Sequence, residues 1–336
     1  MPSLRRWAHC LVAAVLHYSG VLALCRWRRN RRVRQVYVLG LHRVLTVEEA
    51  AKTCSQPAIV MLLSTFRCLL KTLQRDFEII SLQDFTAGRW GKNGRAACLL
   101  TFDDAWRDTF ENVLPVLREA RVPAVVFAPS GLVGTDQSFW VERLTQLWRQ
   151  PQTGSEPLHR ALGAMLGQIA IHDLEVAIEA LKRLPAARRE SVVQSLCDQY
   201  NAGNPEELDR FMSREQLRSA ARSLQVASHT VTHPLLTFEA SETIERELRL
   251  SKQALERDTG TEVIAFAYPS GNLDERVRSA VESSGYRWAF TTRAATYESG
   301  GDPLRVPRFL LHEYNVTGPR GRFSPAMLHF HLMGWR

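Results

Sequence analysis

Short, continuous apolar runs alternate with longer amphipathic segments along most of the chain. The apolar runs are rich in β-branched and aromatic residues, as buried strands are. They are VYVLGL (36–41), EIISL (78–82), ACLLTF (97–102), AVVFAP (124–129), QVASH (225–229) and VIAFAY (263–268). Two of the intervening segments, TFENVLPVLREA (109–120) and ETIERELRLSKQALERD (242–258), have the apolar spacing of helices. This alternation predicts an α/β fold with a mainly parallel sheet, either open or closed into a barrel.

One region interrupts the alternation. From about residue 136 to about residue 222 the sequence has no convincing strand pattern and carries helical patterns such as FWVERLTQLW (139–148) and LEVAIEALKRL (174–184). We therefore predict a helical insertion within one domain that covers residues 35–336. Such an insertion is either a lid or substrate-docking module, or an elaboration of the packing, and the sequence favours neither.

Residues 1–34 differ in composition from the rest. Nineteen residues without a formal charge, WAHCLVAAVLHYSGVLALC (7–25), continue directly into an arginine-rich run. A helix of this length roughly matches a bilayer core at about 1.5 Å per residue. We therefore predict a membrane-associating helix with a basic flank, which either spans the bilayer or lies at its interface; a buried helix of a soluble body is the alternative. No cleavage site follows the apolar stretch, which disfavours a removed signal peptide.

The net charge of +8 is concentrated at this end of the chain. Eight arginines precede residue 35, no acidic residue occurs before Glu48, and the remainder is formally neutral. A folded body without excess positive charge argues against nucleic acid as a partner, whereas the basic leader favours a membrane surface. If the leader spans, its arginines predict a cytoplasmic catalytic domain at a bacterial inner membrane. The six scattered cysteines fit reduced thiols in that compartment. The sequence does not indicate an oligomeric state.

Residues that can bind a metal follow two of the predicted strands. ACLLTF runs into Asp103 and Asp104, and QVASH ends in His229, with His233 four residues later. In parallel α/β folds the reactive residues lie at the carboxyl ends of strands. Two imidazoles at this spacing meet on one face if the segment turns helically, and with one carboxylate they form a three-ligand site for a divalent ion. The second carboxylate is then free to act as a general base.

Each of these signals has a simpler interpretation. A pair of aspartates is usually a solvated turn, and an H-x-x-x-H pair often binds nothing. Their joint position at the ends of predicted buried strands makes the metal interpretation the stronger one. Two histidines and a carboxylate also form the facial triad of non-haem iron oxygenases. The spacing and the alternating strands typical of that class are missing from this sequence.

Taken together, these motifs resemble those of the NodB-type polysaccharide deacetylases, carbohydrate esterase family 4, in a membrane-associated branch with a helical insertion. The similar segments are TFDD (101–104), SHTVTHP (228–234), FAYPSG (266–271), GY (285–286), FTT (290–292), RVPR (305–308) and, upstream, LGLHRV (39–44) and FEIISLQDF (77–85). The resemblance implies a distorted (β/α) barrel and a divalent metal ion, with Zn²⁺ as the first expectation. It also implies hydrolysis of N-acetyl groups on an amino-sugar polysaccharide or lipid-linked saccharide.

The resemblance assigns roles to individual residues. It implies that Asp104, His229 and His233 are metal ligands and that Asp103 is the general base. The metal would polarise the acyl carbonyl, and the backbone N–H of Ser270 would help to hold the developing oxyanion.

The sequence departs from the family pattern at two of its motifs. Ala105 precedes Trp106 where the family prefers glycine before an aromatic residue, which we expect to narrow the loop beside the metal ligand. Ala267 stands where an arginine often fixes the base. Arg305 or Arg308 is the expected replacement, on electrostatic grounds only.

A general acid and the exact activity are left open by the sequence. Leu311-His312 matches the late motif that supplies the acid, although His312 is equally explained as an ordinary histidine. His42 either lines the site or holds a strand end. Two alternatives to the N-deacetylase remain: a deformylase or O-acetyl esterase with the same metal centre, and a saccharide-binding module that has lost catalysis.

Overall fold

The computed structural model describes residues 3–32, 34–91, 94–150, 155–167, 170–202 and 207–334. Its strands are short, and nine of them form one sheet. In chain order they are β1 (Gln35–Leu41), β2 (Arg43–Leu45), β3 (Val60–Leu62), β4 (Phe77–Ile80), β5 (Ala96–Phe102), β6 (Val125–Ala128), β7 (Gln225–Ser228), β8 (Ala265–Ala267), β9 (Trp288–Phe290), β10 (Tyr297–Glu298) and β11 (Phe309–Leu310).

The sheet is almost entirely parallel and is curled into a half-barrel. Its order is β10-β1-β5-β6-β7-β8-β9, with β11 also pairing β1 and β4 also pairing β5. Among the described strand pairs of this sheet, β1–β10 alone is antiparallel. β2 and β3 form a separate two-stranded parallel ribbon. The prediction of a mainly parallel α/β fold of the distorted-barrel type is therefore confirmed.

The central strands are buried on both faces, and their residues alternate between two cores. Cys98, Leu100 and Phe102 of β5 pack outward in the larger core with the surrounding helices. Ala97 and Leu99 belong to the smaller core on the other face, with residues of β6–β9. The two-residue period continues past the end of β5, which places Asp103 on the same face as Leu99.

Fifteen α-helices surround or extend this sheet in the described residues. In chain order they are α1 (Leu4–Tyr18), α2 (Val21–Arg32), α3 (Val47–Lys52), α4 (Leu63–Asp76), α5 (Leu82–Thr86), α6 (Leu114–Ala120), α7 (Trp140–Arg149), α8 (Ser155–Met165), α9 (Leu174–Lys182), α10 (Ala186–Gln199), α11 (Arg214–Ala220), α12 (Ser241–Thr259), α13 (Glu275–Ser283), α14 (Glu313–Val316) and α15 (Pro325–His331).

The region predicted to be a helical insertion contains α7 to α11, and no strand longer than one bridge residue lies in its described part. Its first four helices have their own hydrophobic core, built around Leu144, Leu162, Leu181 and Leu196. This separate core explains why the segment interrupts the strand–helix rhythm, because it buries its apolar residues against itself rather than against the sheet.

The N-terminal segment differs from the predicted single helix over residues 7–25. The chain bends by 67° between α1 and α2, because Gly20 adopts a φ of +81° that ends the first helix. No single helix in the described residues meets the length and hydropathy expected of a bilayer-crossing span, although the bent pair meets them jointly. One face of α1 packs on α15, with Cys10 and Ala13 against Met327 and Phe330.

Smaller differences concern element boundaries. The run EIISL ends as a strand at Ile80, because Ser81 caps a short helix by accepting a hydrogen bond from the Asp84 N–H. The segment 109–120 begins with a π-helical turn over Thr109–Val113 before it becomes α-helical. The strands β2, β3, β10 and β11 carry too few residues for a pattern to predict them.

Candidate metal and active site

The two aspartates that follow β5 point to different partners. Asp103 continues the extended strand, and its backbone N–H donates to the Leu41 carbonyl oxygen across the sheet. Asp104 and Ala105 then adopt φ values of +71° and +52°, a left-handed conformation that non-glycine residues rarely take. Ala105 thus occupies a position whose backbone conformation a glycine would adopt without strain. The turn points the Asp104 side chain in a different direction from that of Asp103.

The two histidines meet through a tight irregular turn, and the helical turn that their spacing suggested is absent. Thr230 and His233 both have a positive φ, of 69° and 59°. Glu247 of α12 holds this turn, since its carboxylate accepts hydrogen bonds from the N–H groups of Val231 and Thr232, at 2.7 and 2.9 Å. A carboxylate on a neighbouring helix therefore shapes the loop that carries both imidazoles.

Asp104, His229 and His233 converge on one point. The Asp104 Oδ1 atom lies 3.5 Å from His229 Nε2 and 3.6 Å from His233 Nε2, and one ligand atom from each residue falls within 4.8 Å of the others. The His229 Nδ1–H donates to the Ala267 carbonyl oxygen at 2.7 Å, because a carbonyl can only accept. The free lone pair of His229 is therefore on Nε2, facing the aspartate.

The hydrogen bonding of this triad fits a metal ion. Asp104 Oδ1 is buried and has no hydrogen-bond partner, while Oδ2 accepts from the Trp106 indole N–H at 3.1 Å. A buried carboxylate oxygen without a donor is costly. Two imidazole nitrogens and one carboxylate oxygen are a donor set used by catalytic zinc sites, with positions left for water and substrate. The residues present thus fit a divalent cation.

Burial and charge shift the pKa values of all three residues. Burial, reinforced by the neighbouring Asp103 charge, raises the pKa of Asp104 well above its usual range. Burial lowers the pKa of His229 to about 4, and burial together with His229 lowers the pKa of His233 well below its usual value. Both imidazoles are consequently neutral near pH 7, which is the form that binds metal.

Asp103 is held by Arg308, one of the two arginines that the sequence left open. The guanidinium donates in bidentate fashion, Nη1 to Oδ1 and Nη2 to Oδ2, both at 2.7 Å, and both side chains are buried. Burial alone would raise the pKa of Asp103, but the Arg308 charge outweighs burial and holds this pKa well below its usual range. Arg305, by contrast, is 45% exposed and pairs with Glu275 at the surface.

The other predicted residues lie at the same edge of the sheet. His42 follows β1, with Nε2 3.8 Å from Asp103 Oδ2, and burial lowers its pKa. His312 follows β11; its Nδ1 atom is buried without a hydrogen-bond partner, and burial lowers its pKa to about 4. None of the described hydrogen bonds or ion pairs of His312 reaches the metal triad.

Ser270 lies in the turn after β8, in the left-handed conformation at φ +55°. The preceding strand supplies the Ala267 carbonyl oxygen that orients His229, so the turn adjoins the triad. Position 271 requires a glycine because the backbone of Thr292 lies very close to it. A Cβ atom at this position would come within 2.6 Å of the Thr292 backbone nitrogen. The backbone of this turn is therefore tightly packed beside the site.

Sequence reasoning missed the aromatic wall of the site. Trp106 is fully buried and stacks on Phe211 with ring centroids 4.9 Å apart. Phe139 packs against both rings and against the His233 imidazole, 4.7 Å away. Phe139 and Phe211 come from the ends of the helical insertion, which therefore contributes directly to the site. No pattern within the insertion distinguishes these two residues from its ordinary core residues.

Neither of two large cavities is lined by a residue of the triad, but each is lined in part by residues next to His233 or Ser270. One, of about 550 Å³, lies between the insertion and the His233 loop, and its lining includes Phe139, Arg189 and Pro234. The other, of about 1070 Å³, extends from Gly271 and Thr291 along the edge of the sheet. Both are large enough to accept a sugar ring.

The curled parallel sheet thus gathers a carboxylate pair and a histidine pair at its carboxyl edge, where parallel α/β folds carry their reactive residues. The family model described as polysaccharide deacetylase matches residues 91–157 and 189–289. These two stretches make up half of the chain, and the protein belongs to the polysaccharide deacetylase family. No curated protein matches the sequence significantly.

Solved structures share the fold at low sequence identity. IcaB from Ammonifex degensii is 18% identical, with a TM-score of 0.56 over 89% of this chain and 96% of IcaB. The deacetylase PplD of Streptococcus pyogenes, solved with acetate, is 16% identical, with a TM-score of 0.55 over 86% of this chain and 96% of PplD. A de-N-acetylase from Aggregatibacter actinomycetemcomitans is 14% identical, with a TM-score of 0.55 over 88% and 99% of the two chains.

Proposed function

We propose that this protein is a metal-dependent deacetylase that removes N-acetyl groups from an amino-sugar polysaccharide or a lipid-linked saccharide. The observation that carries the proposal is the buried Asp104 Oδ1 atom, which has no hydrogen-bond donor and faces the Nε2 atoms of His229 and His233. We propose Zn²⁺ as the ion, since this donor set suits it. When bound, a divalent ion polarises the acyl carbonyl and lowers the pKa of water.

Four residues of the chain are proposed to perform the remaining steps of the hydrolysis. Asp103 accepts the proton of the attacking water as that water adds to the acyl carbon, and Arg308 holds the carboxylate ionised and oriented. The backbone N–H of Ser270 donates to the oxygen that becomes negative. The C–N bond then breaks, and His312 is proposed to deliver a proton to the departing amine. Because burial disfavours a charged His312 ring, this step requires that the ring gain its proton during turnover.

A saccharide-binding module without activity is the second candidate, supported by the departures at Ala105 and Ala267. The contacts of the base favour the enzyme. Arg308 supplies the guanidinium that Ala267 lacks, and the Ala105 backbone adopts the left-handed turn despite its Cβ atom. A deformylase or O-acetyl esterase would use the same residues, and only the identity of the released acid distinguishes it.

The test combines metal analysis with product identification. Purified full-length protein is expected to hold about one divalent ion and to release acetate, detected by mass spectrometry, from acetylated glucosamine oligomers or from lipid-linked sugars. His229→Ala and His233→Ala should lose both metal and activity. His172→Ala is the matched control, because His172 is 72% exposed on the insertion.

The possible outcomes separate the candidates. Equal metal content in wild type and both triad variants would refute the metal site. Formate as the product, or acetate from O-acetylated sugars only, would establish one of the related activities. Metal without release of any acid from these substrates, together with saccharide binding, would favour the binding module.

A further inference from the structure

The helix α1 presents two different faces, and only one of them is used within the protein. On the docked face the Arg6 guanidinium donates to the carbonyl oxygens of Tyr314, Thr317 and Gly318, each at 3.3 Å. On the same side, the His17 ring stacks on His329 with centroids 5.1 Å apart. These polar and ring contacts add to the apolar contact with α15 and fix α1 to the body of the deacetylase.

The other face of α1 is apolar and exposed. Leu4, Leu11 and Tyr18 are 86%, 65% and 78% exposed, and Trp7 and Val15 share their face at helical spacing. Nine of the thirteen large hydrophobic side chains that are exposed in the described residues belong to α1 and α2. A concentration of this kind marks an interaction surface, because single exposed apolar residues are normally scattered.

Basic residues border this apolar face. Arg5 on α1 and Arg28 on α2 are exposed, and the first acidic residue of the sequence is Glu48. All of the net positive charge of the protein lies in residues 1–34, while the rest is formally neutral. An apolar face with basic flanks is complementary to a lipid surface that exposes anionic headgroups.

The geometry favours a helix pair that lies in the interface. α1 has 15 residues and α2 has 12, so they are about 22 and 18 Å long, shorter than a hydrocarbon core of about 30 Å. The 67° bend prevents them from adding their lengths along one axis, and docking on α15 leaves one side of α1 covered by protein.

We propose that α1 and α2 form an in-plane binding element for an anionic lipid bilayer, with Leu4, Leu11, Val15 and Tyr18 below the headgroups and Arg5 and Arg28 among the lipid phosphates. A second copy of the chain is a poorer occupant of this face, because pairing would bring two arginine-rich segments together. Since α1 is fixed to α15, the element holds the catalytic body against the membrane. The proposal is independent of the deacetylase activity.

The test is cosedimentation of the full-length protein with phosphatidylcholine vesicles that contain or lack phosphatidylglycerol. Binding is expected to the anionic vesicles and to weaken with salt. Leu11→Ser/Val15→Ser should weaken binding by about tenfold or more, and Arg5→Gln/Arg28→Gln by about fivefold per arginine removed. The matched control is Val47→Ser/Phe238→Ser, which changes two exposed apolar residues elsewhere and should bind like wild type. Circular dichroism verifies that each variant is folded.

A second measurement separates an in-plane element from a spanning one. In a Cys68→Ser background, which removes the exposed cysteine, Ser3→Cys is treated with a membrane-impermeant maleimide outside preformed vesicles, and labelled sites are mapped by mass spectrometry. Labelling of residue 3 in bound protein supports the in-plane element, whereas protection in the lumen overturns it. Failure of the wild type to bind anionic vesicles, or a stable dimer that Leu11→Ser/Val15→Ser dissociates, would also overturn the proposal.

Discussion

Among the described residues, two fully buried arginines, Arg43 and Arg308, hold carboxylates in different surroundings. Arg43 pairs with Asp108 and Asp209, and every carboxylate oxygen of these two residues accepts a hydrogen bond, from Arg43, Thr53 or the backbone N–H groups of Val44 and Cys54. This cluster joins the β2 region to the end of the insertion. All four of these aspartate oxygens are satisfied within the cluster, as those of a structural polar cluster should be. The neighbouring Glu142 accepts from the Ser55 hydroxyl but keeps its other oxygen, Oε2, without a partner.

The second centre consists of Arg308, Asp103 and Asp104. Only one of its two carboxylates has hydrogen-bond partners for both oxygens. Both oxygens of Asp103 are paired with the guanidinium, but the adjacent Asp104 keeps one oxygen without a donor. A buried carboxylate oxygen in this state is stabilised either by a proton or by a positive charge that another group supplies. The difference between the centres teaches that buried charge alone does not locate function here, whereas an unpaired carboxylate oxygen that faces two imidazole nitrogens marks a candidate metal site.

The largest expected effect is on turnover. Asp103→Asn should retain the metal but lower stability, because Arg308 stays buried without its counter-charge. It should also lose about 10²–10⁴-fold in kcat per folded molecule, because the amide cannot accept the proton of the attacking water. Asp209→Asn, the matched change in the Arg43 centre, should lower stability and alter kcat per folded molecule by less than about tenfold. Steady-state kinetics and metal analysis of both variants check this. Equal losses of kcat would break the distinction between the centres.

Arginine removal should affect stability in both centres and chemistry in one. Arg43→Met leaves Asp108 and Asp209 buried without their cation, which should cost about 3–5 kcal/mol of unfolding free energy in urea titrations. Arg308→Met should cost a similar amount through Asp103 and should also reduce kcat. If Arg43→Met reduced kcat per folded molecule as strongly as Arg308→Met, the Arg43 cluster would belong to the catalytic machinery.

Glu142 adds a pH dependence to the Arg43 centre. Burial raises its pKa from 4.5 to about 7, so the folded state keeps a proton that the unfolded chain releases above about pH 4.5. Below about pH 4.5 the folded and unfolded states both hold this proton, and the free energy of unfolding is at its highest. It decreases by up to about 3 kcal/mol as the pH rises through about 7. Glu142→Gln should therefore stabilise the protein at pH 8 relative to wild type. An unchanged pH dependence of urea unfolding in the variant would contradict this assignment.

The smallest expected effect concerns the contact between the two centres. The Arg43 guanidinium lies 4.4 Å above the Trp106 ring, and the Trp106 indole N–H donates to Asp104 Oδ2. Trp106→Phe keeps an aromatic ring but removes this donor, and should weaken metal affinity by about 10–100-fold. Competition with a chelator measures the affinity. Phe211→Leu, which changes only the neighbouring ring, is the control, and an equal loss there would assign the effect to packing.

Much of the fold could be predicted because the core strands are continuous apolar runs. Several of these runs are followed directly by acidic residues or histidines. The runs over 36–41, 97–102 and 225–229 each coincide with a strand to within one residue. Asp103, Asp104 and His229 could be singled out because polar residues directly after a buried strand lie at the carboxyl edge of a parallel sheet. The convergence of His233 was also expected, but through a helical turn; the strained backbone at Thr230 and the Glu247 contact leave no mark in the sequence pattern.

Which side chains pair across long distances in the sequence was decided by the tertiary structure alone. Arg305 and Arg308 belong to one short motif, yet Arg305 ends a surface 3₁₀ turn while Arg308 immediately precedes β11, which pairs with β1 beside β5. That register brings Arg308 to Asp103 across 205 positions of sequence. The contribution of Phe139 and Phe211 to the site depends in the same way on how the insertion folds back.

The sequence by itself determined the strand–helix alternation, the position of the insertion, the motifs at the strand ends and the concentration of charge in residues 1–34. All of these follow from local periodicity and composition, which act within a few residues of the chain. Only the tertiary structure decided which arginine pairs with Asp103, which rings pack beside His233 and how the leader bends and docks. Those choices depend on sheet register and on packing between distant segments, and neither is encoded in the pattern of any single segment.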